Sequence, residues 1–371
     1  MADVFFYGTM CHPPLRDLVL GRKVAAEPAS LPDHAVYWAA GRGFPLIVAA
    51  PGARAEGVVL RGLTAEDLAR LDFYEGGFGY RTRDLLVDAS EPVRARVFFP
   101  DPGRWKPGAV WNLADWVARW GGIAVATARD YMALRGEKAP GAILPRYEAM
   151  LARGASRQRA EAPAPTERRR ANVPGDIAVA RQRQPYAHFF AVEEYDLAFR
   201  RFDGSLSPVV NRAVFISGDA ATVLPYDPVR DRVLVIEQFR AGPMARGDSQ
   251  PWHLEPIAGR VDPGETPEDC ARREAVEEAG LTLQALLPVA NYYPTPGAKS
   301  EFLYSFVALT DLPDEAAGVF GVEGEAEDIR GHLLSFDELM RLVQSGEIAT
   351  APLILTAFWL ARERDRLRAG R

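Results

Sequence analysis

Short apolar runs bounded by glycine or aspartate recur through the first 134 residues: "DVFFYGT" from Asp3, "AEGVVLRGL" from Ala55, "YRTRDLLV" from Tyr80 and "VRARVFF" from Val93. Their Val, Phe, Tyr and Leu content predicts strands. Between them "TAEDLARLDFYEGG" has the marks of a helix, with Thr64 as N-cap, acids in the first turn and a stop at Gly76-Gly77. The region 1–134 therefore reads as an α+β domain. From 181 onward the same alternation resumes in "HFFAVEEYDLAF", "NRAVFIS", "AATVLPYD" and "RVLVIEQFR", and "LPYDPVRDRVLVIEQ" predicts a hairpin turned on Asp-Pro and Arg-Asp. A polar helix follows from Pro267, then strands in "LPVANYYP" and "SEFLYSFVAL". "SFDELMRLVQSG" predicts a helix with a capping box between Ser335 and Glu338 and a glycine stop. The region 181–371 is thus a second α/β-mixed domain. Between the two, 135–180 is rich in Arg, Ala and Pro and reads as a linker with one helical turn around "RYEAMLARG".

Composition narrows the class. The net charge of -6 argues against a nucleic-acid partner. Two cysteines, Cys11 and Cys270, one in each half, build neither a disulfide framework nor a thiolate zinc site. No apolar run reaches the length of a membrane span, and "ATAPLILTAFWLARERDRLRAGR" reads as a core-closing helix with a basic tail. The N-terminus enters "VFFYG" without a leader-like stretch. The expectation is a soluble, cytoplasmic protein without membrane or nucleic-acid partners.

The helix from Pro267 raises a physical problem. It carries Glu274, Glu277 and Glu278 within about one turn, and like charges at that spacing repel. At 100° per residue Glu274 and Glu278 share a sector with Cys270, Ala271 and Ala275, a face of small residues suited to packing on a sheet. Half-buried carboxylates need a cation, and Arg273 can orient one of them but not neutralise three. A hard divalent ion, Mg²⁺ or Mn²⁺, resolves the conflict.

The spacing is Gly259, five residues, Glu265, seven residues, then Arg273-Glu274-Ala275-Val276-Glu277-Glu278-Ala279-Gly280-Leu281. It resembles the Nudix box, G-x5-E-x7-R-E-U-x-E-E-x-G-U, with Ala275 smaller than the usual aliphatic. That family implies an α/β/α sandwich and hydrolysis of a diphosphate linked to another moiety. It also implies Glu274, Glu278 and the Ala258 carbonyl as metal ligands, Glu277 as a further ligand or a supporting group, and Arg273 as the arginine that orients the glutamates.

The flanks, "LPYDPVRDRVLVIEQFR", "PIAG" and "YYPTPGAKSE" with Pro296 past the box, resemble the bacterial ADP-ribose pyrophosphatases over nearly all of 186–361. This resemblance implies ADP-ribose as substrate, and Phe189 and Arg212 on the adenine through stacking and cation–π contact. It further implies Arg240 on the diphosphate or ribose, and a homodimer through this domain. "GVEGEAEDIRGH" matches the subfamily's acidic loop, which makes Glu325 the catalytic base and Glu327 an additional ligand, an order that could be reversed. Another nucleotide sugar or NADH as substrate, or a nucleotide sensor that binds without cleaving, are the alternatives.

In the first domain, "VFFYGTM" places a glycine directly after an apolar strand, where backbone amides can cradle an anionic group. Glu75 closes its helix at the negative end of the dipole, among Phe73, Tyr74 and Phe78, an environment that raises a carboxyl pKa. "YGTM", "GFPLIV", "EGVVL", "LDFYEGGFGYRTR" and a Trp-rich stretch resemble the γ-glutamylcyclotransferase-like (AIG2-like) family over about 1–130. That family implies a small barrel-like mixed sheet and Glu75 as acid/base. It also implies Tyr7, Gly8, Thr9 and Met10 as the substrate-cradling loop, and Tyr80 in the pocket. The chemistry implied is release of 5-oxoproline from a γ-glutamyl compound, without a metal; a binding or structural module is the alternative. Trp111, Trp116 and Trp120 read as core. Proteins that join these two domains have been associated with tellurite resistance in some bacteria, and nothing in the residues points to tellurium.

Overall fold

A computed structural model of the chain describes residues 1–321 and 328–370. It divides into two units, Met1–Pro165 and Thr166–Arg371.

The first unit is built on strands β1 (Ala2–Phe6), β2 (Glu27–Ala39), β3 (Pro45–Leu63), β4 (Tyr80–Val87), β5 (Val93–Pro100) and β6 (Pro107–Val110). They run in the order β4-β5-β1-β3-β2-β6, with β1 parallel to β5 and the remaining neighbours antiparallel. The sheet is mixed, as expected, but it is not a closed barrel. β4 and β6 are its two ends, and one bridge, Ser30 to Asp88, joins β2 to the residue after β4. Alternation along β1 sends Val4 and Phe6 to one face and Phe5 and Tyr7 to the other. The first face is covered by α1 (Pro13–Leu20), α2 (Ala65–Gly76), α3 (Leu113–Trp116) and α4 (Gly122–Ala133), with a π-helical turn at Val117–Gly121 between the last two. Trp116 is fully buried there, and Trp111 and Trp120 pack against it partly exposed.

The segment read as a linker departs from that reading at both ends. α5 (Pro140–Ile143) and α6 (Tyr147–Ala160) belong to the first unit, where Met150, Ala152 and Ala155 of α6 are buried. A Cβ on Gly154 would lie 2.4 Å from Thr127 Oγ1, so α6 and α4 pack with little room between their backbones. An Ala- and Arg-rich stretch is as good a helix former as it is a solvated tether, and the small-residue face decides between the two. At the other end, Ile177–Ala187 is strand β7 of the second unit.

β7, β8 (Ala191–Phe199) and β9 (Val210–Ile216) form an antiparallel three-stranded sheet. The main sheet contains β10 (Ala220–Asp227), β11 (Arg232–Phe239), β12 (Trp252–Glu255), β13 (Ile257–Arg260), β14 (Ala285–Tyr292), β15 (Leu303–Leu309), β16 (Val319–Phe320) and β17 (Ile329–Ser335). Its order is β14-β15-β10-β11-β17-β16, with β12 on β11 and β13 on β10. β10 pairs in parallel with β15 and antiparallel with β11, so this sheet too is mixed.

Residues alternate between two cores. Val223, Leu234 and Ile236 meet α8 (Pro267–Ala279), which follows the short α7 (Ala241–Arg246). Leu224, Tyr226, Val233 and Val235 meet α9 (Phe336–Ser345) and α10 (Ala351–Ala369). The result is the expected α/β/α sandwich. The predicted hairpin turn holds Asp231 at φ 56°, and this carboxylate accepts from Tyr226 (2.8 Å), Arg364 (2.9 Å) and Arg368 (3.0 Å). The basic end of α10 is therefore tied to the hairpin rather than only solvated. Among the described residues no helix is long and apolar enough to cross a membrane.

Candidate functional site

The polar helix α8 begins where its sequence says it should. Thr266 accepts the N–H of Asp269 at 3.1 Å, Pro267 takes the first helical position, and Gly280 ends the helix in the left-handed region at φ 62°. Cys270, Ala271, Ala275 and Ala279 are buried against the sheet. That small-residue face lets the helix approach β13 closely. A Cβ on Gly259 would stand 1.7 Å from Glu274 Oε1, so only glycine admits the Glu274 carboxylate against this strand. Glu278 is 2% exposed, and its Oε2 accepts the Ala258 N–H at 3.0 Å.

Arg273 does more than the sequence suggested. Its Nε and Nη2 donate to Glu265 at 3.0 and 3.1 Å, and its Nη1 donates to Glu274 at 2.6 Å and to Glu277 at 2.9 Å. Its Nη2 also reaches the Arg260 carbonyl at 3.2 Å. One guanidinium therefore orients three carboxylates instead of one, with Glu265 held by two bonds as a strut. The donor set on this face is all oxygen and largely carboxylate, which fits a hard divalent cation. The buried Glu278 and the Gly259 gap give such an ion carboxylates beside strand backbone. Among the described residues no group of three or more His, Cys, Asp or Glu side chains is already gathered as a metal cage.

The residues expected at the nucleotide lie on separate elements. Phe189 lies in the turn between β7 and β8 with 58% of its surface exposed, so it is not a core phenylalanine. The guanidinium over its ring is that of Arg260, 4.9 Å from the centroid. Arg212 is exposed on β9 opposite Tyr195, and its Nη1 donates to the Asn211 carbonyl at 2.8 Å. Arg240 follows β11 as the residue before α7 and is paired with Glu255 at 2.6 Å. Glu325 and Glu327 lie outside the described residues. Arg260 was missed in the sequence because it occupies a variable position of the box; its Nε and Nη1 are buried without a hydrogen-bond partner.

With this geometry in place, comparison with known proteins is decisive for the second unit. The family model described as "NUDIX domain" matches residues 217–354. The ADP-ribose pyrophosphatase of Escherichia coli (strain K12) is 37% identical over 193 residues, covering 52% of this chain and 91% of that protein. This chain belongs to the Nudix family. The ADP-ribose pyrophosphatase of Haemophilus influenzae is 34% identical over 187 residues, covering 50% of this chain and 86% of its own length. A GDP-mannose pyrophosphatase of Salmonella paratyphi B is 32% identical over 149 residues, covering 40% of this chain and 76% of its own length. A solved structure described as an ADP compounds hydrolase aligns to 53% of this chain and all of its own at 20% identity, with a TM-score of 0.42. The first unit of this Nudix hydrolase carries a second domain: the family model "Gamma-glutamyl cyclotransferase, AIG2-like" matches residues 4–118.

In that first domain Glu75 stands in the last turn of α2, and its carboxylate makes no hydrogen bond among the described residues. The residue keeps some accessible surface, yet burial of the carboxyl pushes its pKa up to about 7. Tyrosines surround it. Burial raises the phenol pKa of Tyr7, Tyr74, Tyr80, Tyr131 and Tyr147, and the Glu75 charge raises each further. Tyr7 and Tyr80 are fixed by bonds from their hydroxyls to the carbonyls of Phe98 (2.7 Å) and Pro45 (3.0 Å). A Cβ on Gly8 would meet Pro45 Cγ at 2.6 Å, so the chain leaving β1 passes tightly under β3. It then closes a 3₁₀ turn at Thr9–Cys11, where the N–H groups of Cys11 and His12 bond back to Gly8 and Thr9. Met10 has its side chain in the core, which leaves only its backbone to face a ligand.

A carboxyl with a raised pKa binds its proton more tightly in the folded state than in the unfolded one. Its stabilising contribution is complete below the ordinary value of 4.5 and is lost as pH rises through about 7. Glu75→Gln is expected to raise the melting temperature of the first unit at pH 8 and to leave it nearly unchanged at pH 4. Parallel thermal scans of the two proteins across this range measure the difference.

Proposed function

We propose that the Nudix unit hydrolyses the diphosphate of ADP-ribose to AMP and ribose 5-phosphate with Mg²⁺, for which Mn²⁺ can substitute. The observation that carries the reading is the α8 constellation. Glu274 and Glu278 lie against strand β13 while Arg273 bonds Glu265, Glu274 and Glu277, in a chain 37% identical to an ADP-ribose pyrophosphatase over that protein's near-full length. Glu274, Glu278 and the carbonyl of Ala258 would hold the ion. When bound, it supplies charge neutralisation of the diphosphate oxygens and a lowered pKa for the attacking water. Arg273 keeps Glu274 and Glu277 turned to the same side, and Glu265 keeps Arg273 in place. The burial of Glu278 excludes water from that ligand. Glu325 is the proposed base and Glu327 a further ligand. Phe189 offers an open aromatic face to the base, with Arg212 and Arg240 as additional contacts. A nucleotide sugar is the second reading, favoured by the GDP-mannose relative.

The test is hydrolysis of ADP-ribose by the full chain with Mg²⁺, followed by AMP release. Glu278→Gln is expected to lower kcat about 100-fold or more, and chelation to abolish turnover reversibly. A folded protein that leaves ADP-ribose intact but cleaves GDP-mannose would move the assignment to nucleotide sugars.

We also infer that two copies associate through the three-stranded sheet. Ile177, Val179, Tyr186 and Phe199 on its strands are large, apolar and exposed, and such patches on soluble proteins mark contact surfaces. Sedimentation equilibrium is expected to give twice the 40.8 kDa chain mass; a mass of one chain at micromolar concentration rules this out.

For the first unit we propose cyclisation of a γ-glutamyl compound to 5-oxoproline, with Glu75 moving the proton. A carboxyl with a pKa of about 7, packed among phenols, suits that task. Release of 5-oxoproline from a γ-glutamyl dipeptide is expected from the wild type and not from Glu75→Gln. Its absence from both, in folded protein, would leave a binding module.

A further inference from the structure

A second polar group in the first unit stands apart from Glu75. Arg16 is 6% exposed, and its buried Nε has no hydrogen-bond partner. Four residues before it on the same helix face is His12, whose carbonyl accepts the Arg16 N–H at 3.1 Å. Helical side chains lean toward the N-terminus, so the guanidinium lies back over His12 and the start of α1. Its charge is felt there: besides burial, it holds the His12 imidazole below its usual pKa, and it opposes the burial that pushes the Cys11 thiol up to about 12. The helix end itself is unfilled. His12 makes no side-chain cap, and Pro13 and Pro14 occupy the first positions.

Among the described residues Arg16 makes no ion pair. Of the acidic side chains on the helices packed against α1, Asp67 bonds Arg22, Glu66 bonds Arg135, Asp130 bonds Arg157, Asp72 is exposed, and Glu75 is buried among the tyrosines with burial alone shifting its carboxyl. Asp17, on α1 itself, makes no ion pair among the described residues. The far wall is formed by Trp116 and Gly121. The His12 ring meets Trp116 edge-on at 5.9 Å, and a Cβ added to Gly121 would stand in ordinary contact with His12 Nε2 at 3.5 Å, so the absence of a side chain there spares the ring a neighbour. Gly121 closes the π-helical turn Val117–Gly121, and interruptions of this kind concentrate at functional sites.

We propose that Arg16, His12 and the uncapped start of α1 form a subsite for the carboxylate of a small ligand. A buried guanidinium without an anion is costly, and a carboxylate placed on its Nε edge offsets that cost with a charge-assisted bond. One cation beside a neutral imidazole matches a monoanion, not a phosphate dianion. This reading stands whether or not Glu75 is a catalyst.

The test follows the ring protons of His12 by NMR in the full chain, which has five histidines, with His12→Gln assigning the signal. Acetate and L-glutamate are titrated in turn, with inorganic phosphate as the competitor. A saturable shift with either carboxylate is expected, weakened about tenfold or more in Arg16→Met and retained in part in Arg16→Lys. If Arg16→Met fails to fold, Arg16→Gln replaces it, and the Lys variant supplies the folded, charged control. The same shift should persist in Glu75→Gln. Absence of a saturable shift overturns the proposal, as does a shift unchanged without the Arg16 charge. Tighter binding of phosphate than of either carboxylate overturns the ligand class, and loss of the shift in Glu75→Gln would place the ligand at Glu75 instead.

Discussion

The second unit depends on the repulsion among the glutamates of α8 being held in check. Two unit charges 4 Å apart near a protein surface interact by about 4 kcal/mol, so several carboxylates gathered on one helix face oppose folding unless each has a partner. Arg273 meets that constraint by bonding Glu265, Glu274 and Glu277 at once, while the Ala258 N–H takes Glu278. This arrangement requires the helix to lie close against β13, and it can do so only because Gly259 has no side chain and because Cys270, Ala271 and Ala275 are small. The sandwich and the charged face are therefore one construction. The hydrophobic side of α8 sets the distance at which its polar side becomes useful.

The first unit treats charge in the opposite way. It buries most of a carboxyl and gives it no hydrogen bond among the described residues, so Glu75 holds its proton up to about pH 7. Phenol rings build this chamber because they pack as apolar bodies while their hydroxyls reach backbone carbonyls, as Tyr7 and Tyr80 do. One chain thus carries a site where carboxylates are gathered around a guanidinium and a site where a carboxyl is set among phenols.

Much of this was legible in the sequence because it is local. The caps of α8, the glycine that ends it and the box spacing are all set within a few tens of residues, and the structure forms that helix from Pro267 to Ala279. The aromatic residues flanking Glu75 announced its raised pKa. What was hidden depends on distance along the chain. Tyr131 and Tyr147 join the Glu75 chamber from α4 and α6, the latter within a stretch whose Ala- and Arg-rich composition resembles a tether. β7 was missed because "IAVARQRQPYA" has too few apolar positions to stand out, and its strand character comes from pairing with β8. Arg260 sits at a position where the motif specifies nothing, so only the ring of Phe189 beneath it reveals its place.

The order of the strands bears on how the chain is made. In the second unit the central strand β10 pairs in parallel with β15, and β11, another of its neighbours, pairs with β17. The sheet is not complete until the chain has run to Ser335, and its face beneath α10 stays uncovered until that helix follows. The first unit is closed by α6, which ends at Ala160. During synthesis from the N-terminus, one folded body can therefore stand outside the ribosome while an apolar and incompletely paired sheet is still emerging behind it, a circumstance in which nascent chains are prone to aggregation.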